Sequence, residues 1–424
     1  MKTTRSRVNR PLNIFVPHCS GCLTDSLPHG DGLVAHGFIT HLAERGHSLY
    51  VAAERAELAK PLPSNVHLFR LGADTSVGAA SRANYVLGVR SLFHMLRRKV
   101  RFDLAHQLNP VYTGISLALF GSGIPVVLGP YVADWPHDPQ AIRSSRRAIN
   151  AVLRRAKEAV AFFQQRNASA ILLTTDAASR RVSFAHCWKA PVHYLPHGID
   201  SDFFRPGAPE TRFSRDDGHT AILFYANISE RKGVMDVLCA FEMIAPEFPM
   251  AELWIAGEGD QLNAARNFAS NLGAQNRILF LGRQTREQAV LLMQHADLFC
   301  LASHGEPYGM TVVEAMSCGL PVVVTDAGGA RYLAGDEGGL RVPMKSPAAL
   351  ALALARLLAD PQSRLQMGLR NRQKVLHSFA WDKVIDRLEE IYSLTIEGKR
   401  ESQIAVHIPN IQMADGLSTA GERR

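Results

Sequence analysis

Short apolar runs alternate with stretches of helical spacing along most of the chain. Residues 12–16 (LNIFV) form a first apolar run, and a polar loop, 20–32, follows. From 33 to 45, Leu33, Phe38 and Leu42 share one helical face before Gly46. A second strand is predicted at 48–53, with others at 66–70, 102–106, 124–128 and 170–174. Helices are predicted at 86–100 and 139–163. The segment Leu195-Pro196-His197-Gly198 reads as a boundary, since Pro and Gly interrupt regular structure there. A second alternating series begins at 221–225 and continues through strands at 252–256, 277–281, 298–301 and 321–325. Helices at 234–245 and 286–295 separate some of them, and 347–378 and 381–396 are helical. Alternation of this kind predicts an α/β fold with a doubly wound parallel sheet in each half. The expected domains are 1–198, joined by a return helix at 380–396, and 199–379. Residues 397–424 lack periodicity and read as a disordered tail.

Composition fits that picture. At 424 residues the chain suits two domains, and 46% hydrophobic with 20% charged residues is ordinary for a globular protein. No apolar run reaches the roughly 18 residues of a membrane span. The basic N-terminus has too short an apolar stretch for a signal peptide, so the expected location is the cytoplasm. Charge changes the picture more. Residues 1–198 hold 24 Lys+Arg against 11 Asp+Glu, a net of +13, whereas 199–424 carry −5. The basic half is expected to face an anionic partner, and 139–163 reads as a basic amphipathic helix that suits the inner face of the plasma membrane. Nucleic acid is not the expected partner, because the chain shows no reader motif or aromatic platform. The six cysteines read as reduced packing thiols. Cys19 and Cys22 form one C-x-x-C without a second pair at zinc-ligand spacing, so no metal site is expected.

Candidate chemistry concentrates in 304–333, HGEPYGMTVVEAMSCGLPVVVTDAGGARYL. Glu306 sits in a polar loop and Glu314 in a short helix that Gly309 opens. An apolar run, 321–325, then ends at Gly328-Gly329. A loop at the carboxyl end of a parallel strand is where α/β sheets bind ligands. Helix N-termini with glycine nearby admit phosphate. In the first half, Gly30-Asp31-Gly32 follows the first strand but lacks the G-x-G-x-x-G pattern. Gly257-x-Gly259 also lacks its third glycine, which speaks against a nicotinamide-dependent oxidoreductase.

Glu306-x7-Glu314 within HGEPYGMTVVEAMSCGLPVV closely resembles the signature of family-4 retaining glycosyltransferases of the GT-B fold, the group 1 glycosyl transferases. LPHGIDSDFFRP (195–206), SERKGVMDVLCAF (229–241), LWIAGEGDQ (253–261), ILFLGR (278–283) and FAWDKVIDRLEEIY (379–392) resemble further family segments in order. The resemblance is strong in the second half and weaker in the first. It implies two Rossmann-like domains facing a cleft and transfer from a nucleotide-diphosphate sugar to a glycan or lipid-linked acceptor, as in bacterial surface polysaccharide or lipopolysaccharide synthesis. Configuration is retained, and neither a metal nor another cofactor is required. Lys232, with Arg231 beside it, and the amides of Gly309, Met310 and Thr311 would bind the diphosphate. Glu314 would take the ribose and Glu306 the transferred sugar. Gly30 and Gly32 would lie against the donor, and His106 would act near the sugar.

Two departures stand out. Asn227 and Ala226 occupy the place where the family often has an Arg, and Leu108 replaces the second His of an H-x-H pattern. They keep open a non-catalytic sugar-nucleotide-binding subunit. A sugar-nucleotide epimerase is a further alternative within the same fold.

Overall fold

The computed structural model describes residues 10–27, 30–72, 79–110, 114–134, 147–182, 190–207, 219–335 and 337–398. Its first sheet has seven strands: β1 (Asn13–Val16), β2 (Ser48–Ala53), β3 (Val66–Arg70), β4 (Leu104–Gln107), β5 (Val126–Tyr131), β6 (Ala170–Leu173) and β7 (Val192–Tyr194). They are parallel and run in the order β3-β2-β1-β4-β5-β6-β7. Alternation along β1 feeds both faces of the sheet. Ile14 and Val16 join Phe38 and Leu42 of helix α1 (Gly30–Glu44) on one side. Phe15 meets Phe93, on α2 (Ala79–Leu96), and Phe102 on the other, with ring centroids 5.3 and 5.4 Å away. A third described helix, α3 (Arg147–Arg166), completes this half.

The second sheet holds β8 (Thr220–Tyr225), β9 (Ala251–Ala256), β10 (Ile278–Gly282), β11 (Leu298–Leu301), β12 (Val322–Thr325) and β13 (Gly339–Val342). It too is parallel, in the order β10-β9-β8-β11-β12-β13. Every residue of β11 and β12 is buried, as apolar runs sandwiched between helices require. The helices are α4 (Val234–Ile244), α5 (Leu262–Ala269), α6 (Arg286–His295), α7 (Met310–Ser317), α8 (Ala330–Ala334), α9 (Pro347–Ala359), α10 (Pro361–Ser378) and α11 (Trp381–Ile396). In both sheets the order reverses beside the first strand, which opens a crevice at the strands' carboxyl ends.

Several boundaries differ from expectation. The stretch at 347–378 is two helices, because Pro361 has no N–H for an intrahelical bond and Asp360 caps the second helix by accepting from Ser363 N at 2.9 Å. Helix α1 begins at Gly30, so Gly30 and Gly32 lie in its first turn rather than in a loop. Helix α2 starts seven residues before the expected 86. The expected segment 139–146, Cys187 and the tail from 399 lie outside the described residues.

Helix α11 returns to the first half. Val384, Ile385, Leu388, Ile391 and Tyr392 pack in one core with Ile14 and Phe38. The crossing is tied by backbone: Ile199 N donates to Phe379 O at 2.8 Å and Trp381 N to Ile199 O at 3.3 Å. Trp381 stands edge-on to Phe38 with centroids 5.0 Å apart. It needs glycine on two sides, since a Cβ on Gly37 or Gly198 would come within 2.1 or 2.2 Å of its ring.

Candidate active site

The second-half site grows from two turns at the carboxyl edge of its sheet. The turn at 229–233 closes with Lys232 N donating to Ser229 O at 3.0 Å. Gly233 has φ 72° and leaves no room for a Cβ, which would lie 2.0 Å from Ala302 O. That close approach sets the turn against the end of β11 and aims Lys232 across it. The Lys232 ammonium then meets the Glu306 carboxylate, Nζ to Oε2, at 2.5 Å. Ser303 Oγ donates to the same oxygen at 3.1 Å. Glu306 is buried, and these two partners satisfy that oxygen away from water. The backbone is pinned as well, with Gly329 N donating to Glu306 O at 2.6 Å. A second clasp joins the two turns: His304 N donates to Arg231 O at 2.8 Å, and His304 Nε2 lies 2.8 Å from Asp236 Oδ2. The Arg231 side chain itself is exposed.

Gly309 caps α7 in a left-handed conformation, and Val312 and Val313 N both reach back to its carbonyl at 3.0 and 3.2 Å. The first-turn amides, including Met310 and Thr311, have no carbonyl one turn earlier in the helix, which makes this end electropositive. It adjoins the ion pair: a Cβ on Gly309 would lie 3.3 Å from Glu306 Cγ. One turn on, Glu314 is half-buried. Burial pushes its carboxyl up to about 7, while Arg286 pulls the other way. Tyr225, at the end of β8, is pushed up to about 12 by burial and, secondarily, by the Glu314 charge. The Arg286 guanidinium rests over Phe203 and Phe204, 4.9 and 5.6 Å from their ring centroids. Lys232, Glu306, Gly309, Met310 and Thr311 thus gather at one place, with Glu314 a helical turn away.

The first half supplies the opposite wall. A cavity of about 250 Å³ lies between the halves, bounded by Val34, Phe38, Leu108 and Val132 and by the polar residues Asp31, Asn109, Arg181 and His197. Pro307 closes it from the second half. Contact across the cleft is direct, as Ala133 N donates to Pro307 O at 3.3 Å and His197 N to the Tyr308 hydroxyl at 3.0 Å. Asp31, between Gly30 and Gly32, accepts from Asn109 Nδ2 at 3.1 Å.

His106 does not reach this cavity, which corrects the expectation for it. It is 1% exposed. Its Nε2 donates to Gly129 O at 2.8 Å and its Nδ1 accepts from the Tyr392 hydroxyl at 2.6 Å. Burial lowers it to about 4, so it stays neutral. Both ring nitrogens are used in joining β4 and β5 to α11, which leaves none for a substrate. Sequence reasoning in turn passed over Ser303, Asp236, Arg286 and Asp31. Of these only Asp31, between its two glycines, had a local signal.

Residues 210–374 match the family model described as glycosyl transferases group 1. That stretch is similar to this family, and the paired parallel sheets have the GT-B fold. More particularly, the chain is similar to a phosphatidyl-myo-inositol mannosyltransferase from Mycolicibacterium smegmatis, 32% identical over 232 residues that cover 54% of this chain and 57% of that one. Among solved structures it resembles a sucrose-phosphate synthase from Thermosynechococcus elongatus, with TM-score 0.69, 20% identity and coverage of 92% of this chain and 100% of that one. It also resembles Anabaena HepE in complex with UDP-glucose, with TM-score 0.66, 18% identity and coverage of 90% and 99%. The chain spans about half the length of the curated relatives it matches.

Proposed function

We propose that the protein is a retaining glycosyltransferase that moves a sugar from a nucleotide-diphosphate donor to a glycan or lipid-linked acceptor, without a metal or further cofactor. The observation that carries this reading is the Lys232–Glu306 pair set at the electropositive start of α7. A diphosphate needs compensating charge as it departs, and Lys232 with the Gly309, Met310 and Thr311 amides supplies it. Arg231, exposed beside the turn, adds charge at the rim. Glu306 accepts from hydroxyls of the transferred sugar and Glu314 from the ribose. The sugar C1–phosphate oxygen bond breaks as the acceptor oxygen bonds to C1 on the same face, and the acceptor proton passes to the departing phosphate oxygen. The Anabaena relative holds UDP-glucose and a Corynebacterium glutamicum relative is named as GDP-mannose-dependent, which together support a uridine or guanosine diphosphate sugar as donor. Gly30 and Gly32, in the first turn of α1, would approach the donor from across the cleft.

The acceptor is proposed to be membrane-linked, in bacterial surface polysaccharide or lipopolysaccharide assembly, with the protein cytoplasmic and peripheral on the membrane. The basic first half supports this, and the Mycolicibacterium relative is named for a lipid acceptor. Among the described residues no helix is long and apolar enough to cross a membrane. The test is incubation with a panel of UDP- and GDP-sugars, reading free nucleoside diphosphate and the fate of the sugar. Release of diphosphate with sugar transferred supports the reading. Tight binding without turnover, whatever acceptor is supplied, favours a non-catalytic subunit, and an isomerised sugar favours an epimerase. No binding and no turnover reject a donor site.

A further inference from the structure

We infer that His197 is a sugar-contacting residue, its ring hydrogen-bonding a hydroxyl of a neutral sugar ring seated in the cavity between the two halves. The inference rests on the transferase reading and names a residue which that reading leaves unused. His197 lines the cavity and is 8% exposed. It is held at both sides: the Tyr308 ring lies tilted by 46° with its centroid 4.5 Å away, and the Phe38 ring meets it edge-on at 6.5 Å. Its backbone N–H is used by the Tyr308 hydroxyl. Its Nδ1, by contrast, has no hydrogen-bond partner among the described residues. A buried ring nitrogen without a partner is costly, and a ligand hydroxyl would relieve that cost.

The chemistry of the walls selects the ligand. Burial lowers His197 to about 3, so the ring is neutral, with one donor and one acceptor nitrogen. Arg181 on the lining is already paired with Asp134 at 2.5 Å, and Asp31 brings a carboxylate. An anion therefore gains little there. A polyol gains hydrogen bonds from Asp31, Asn109 and His197, and its C–H face meets Phe38, Leu108 and Val132. At about 250 Å³ the space falls below the roughly 300–1,000 Å³ of larger ligand sites and suits one ring. That ring is either the sugar being transferred or the acceptor sugar.

The test compares wild type, His197→Phe, His197→Ala and His197→Asn. Each is assayed with UDP- and GDP-sugars, with and without octyl glucoside, mannoside and galactoside, and each is titrated calorimetrically with UDP and GDP. The expected result is that both removal variants fold and bind nucleoside diphosphate like wild type, with Phe melting close to wild type and Ala lower because its ring packing is lost. Donor hydrolysis should slow at least tenfold, or the KM for the glycoside should rise at least tenfold, with Asn recovering part of the loss. Slower hydrolysis without glycoside assigns the transferred sugar, and a raised KM alone assigns the acceptor ring. Wild-type hydrolysis and KM in both removal variants overturn the inference while leaving the donor site intact. Loss of folding in both removal variants assigns His197 a structural role and also overturns it. A wild type that binds no nucleotide is a different outcome, and it removes the donor reading itself.

Discussion

Glu314 carries the most testable electrostatics of the site. Its carboxyl is raised from 4.5 to about 7 by burial, so near neutral pH it is only partly ionised. The ionised form accepts hydroxyl hydrogen bonds better. Affinity for an intact UDP- or GDP-sugar, whose diphosphate has no group titrating near neutrality, should therefore rise between pH 6 and pH 8. Glu314→Gln should flatten that profile, and a flat wild-type profile would contradict the ribose role. The stability sign is opposite. Between about 4.5 and about 7 the folded form binds the proton more tightly, so this contribution is complete below 4.5 and is lost as pH rises through 7. Melting curves should accordingly show Glu314→Gln gaining on wild type from pH 5 to pH 8. At the neighbouring pair, Lys232→Ala should cost about 10²–10³-fold in turnover. Glu306→Gln removes the negative charge set against Lys232, so UDP or GDP binding should hold or tighten while transfer falls; weakened diphosphate binding would count against the pairing. Residue type and spacing singled out Glu306 and Glu314 in the sequence and the family resemblance singled out Lys232, and the fold brings Lys232 and Glu306 into contact, with Glu314 on the adjoining helix. The role of His106 was not legible, because what fixes it is Tyr392, 286 positions away.

Among the elements, the strands were the most legible, since the inner ones are unbroken apolar runs. Edge strands β7 and β13 were missed: they are three and four residues long and only partly buried, so no run marks them. Helix α3 was legible as basic and amphipathic, but not where its apolar residues would lie. It packs on the turn at 115–119, with Gln164 accepting from Gly114 N. Phe163, 55% exposed, and Phe120, 66% exposed, are left on the surface of these adjoining segments. Arg155, Lys157 and Arg166 lie along the same helix. Exposed aromatic residues among basic ones suit an anionic bilayer surface. Flotation with vesicles containing anionic lipid should recover the protein at low salt, and neutral vesicles should not. The double variant Phe120→Ala with Phe163→Ala should reduce recovery, and equal recovery from both vesicle types would remove the membrane proposal.

For the whole molecule, the two halves meet at Pro307 and Tyr308 and at the return crossing. Periodicity revealed two α/β halves, and a motif revealed the return helix. The closeness of the crossing was hidden, because it depends on Trp381 meeting Gly37 and Gly198 from distant segments. Gly198→Ala should destabilise the protein by about 1–3 kcal/mol through overpacking, read as a lower denaturant midpoint. An unchanged midpoint would mean that Trp381 is not confined. The central claim is that the second half grips a nucleotide-diphosphate sugar through Lys232 at the start of α7. Calorimetric titration of wild type and Lys232→Ala with UDP- and GDP-sugars tests it most directly. The account predicts saturable binding of at least one donor by wild type and at least a tenfold weaker affinity in the variant; equal affinities, or no binding by wild type, would contradict it.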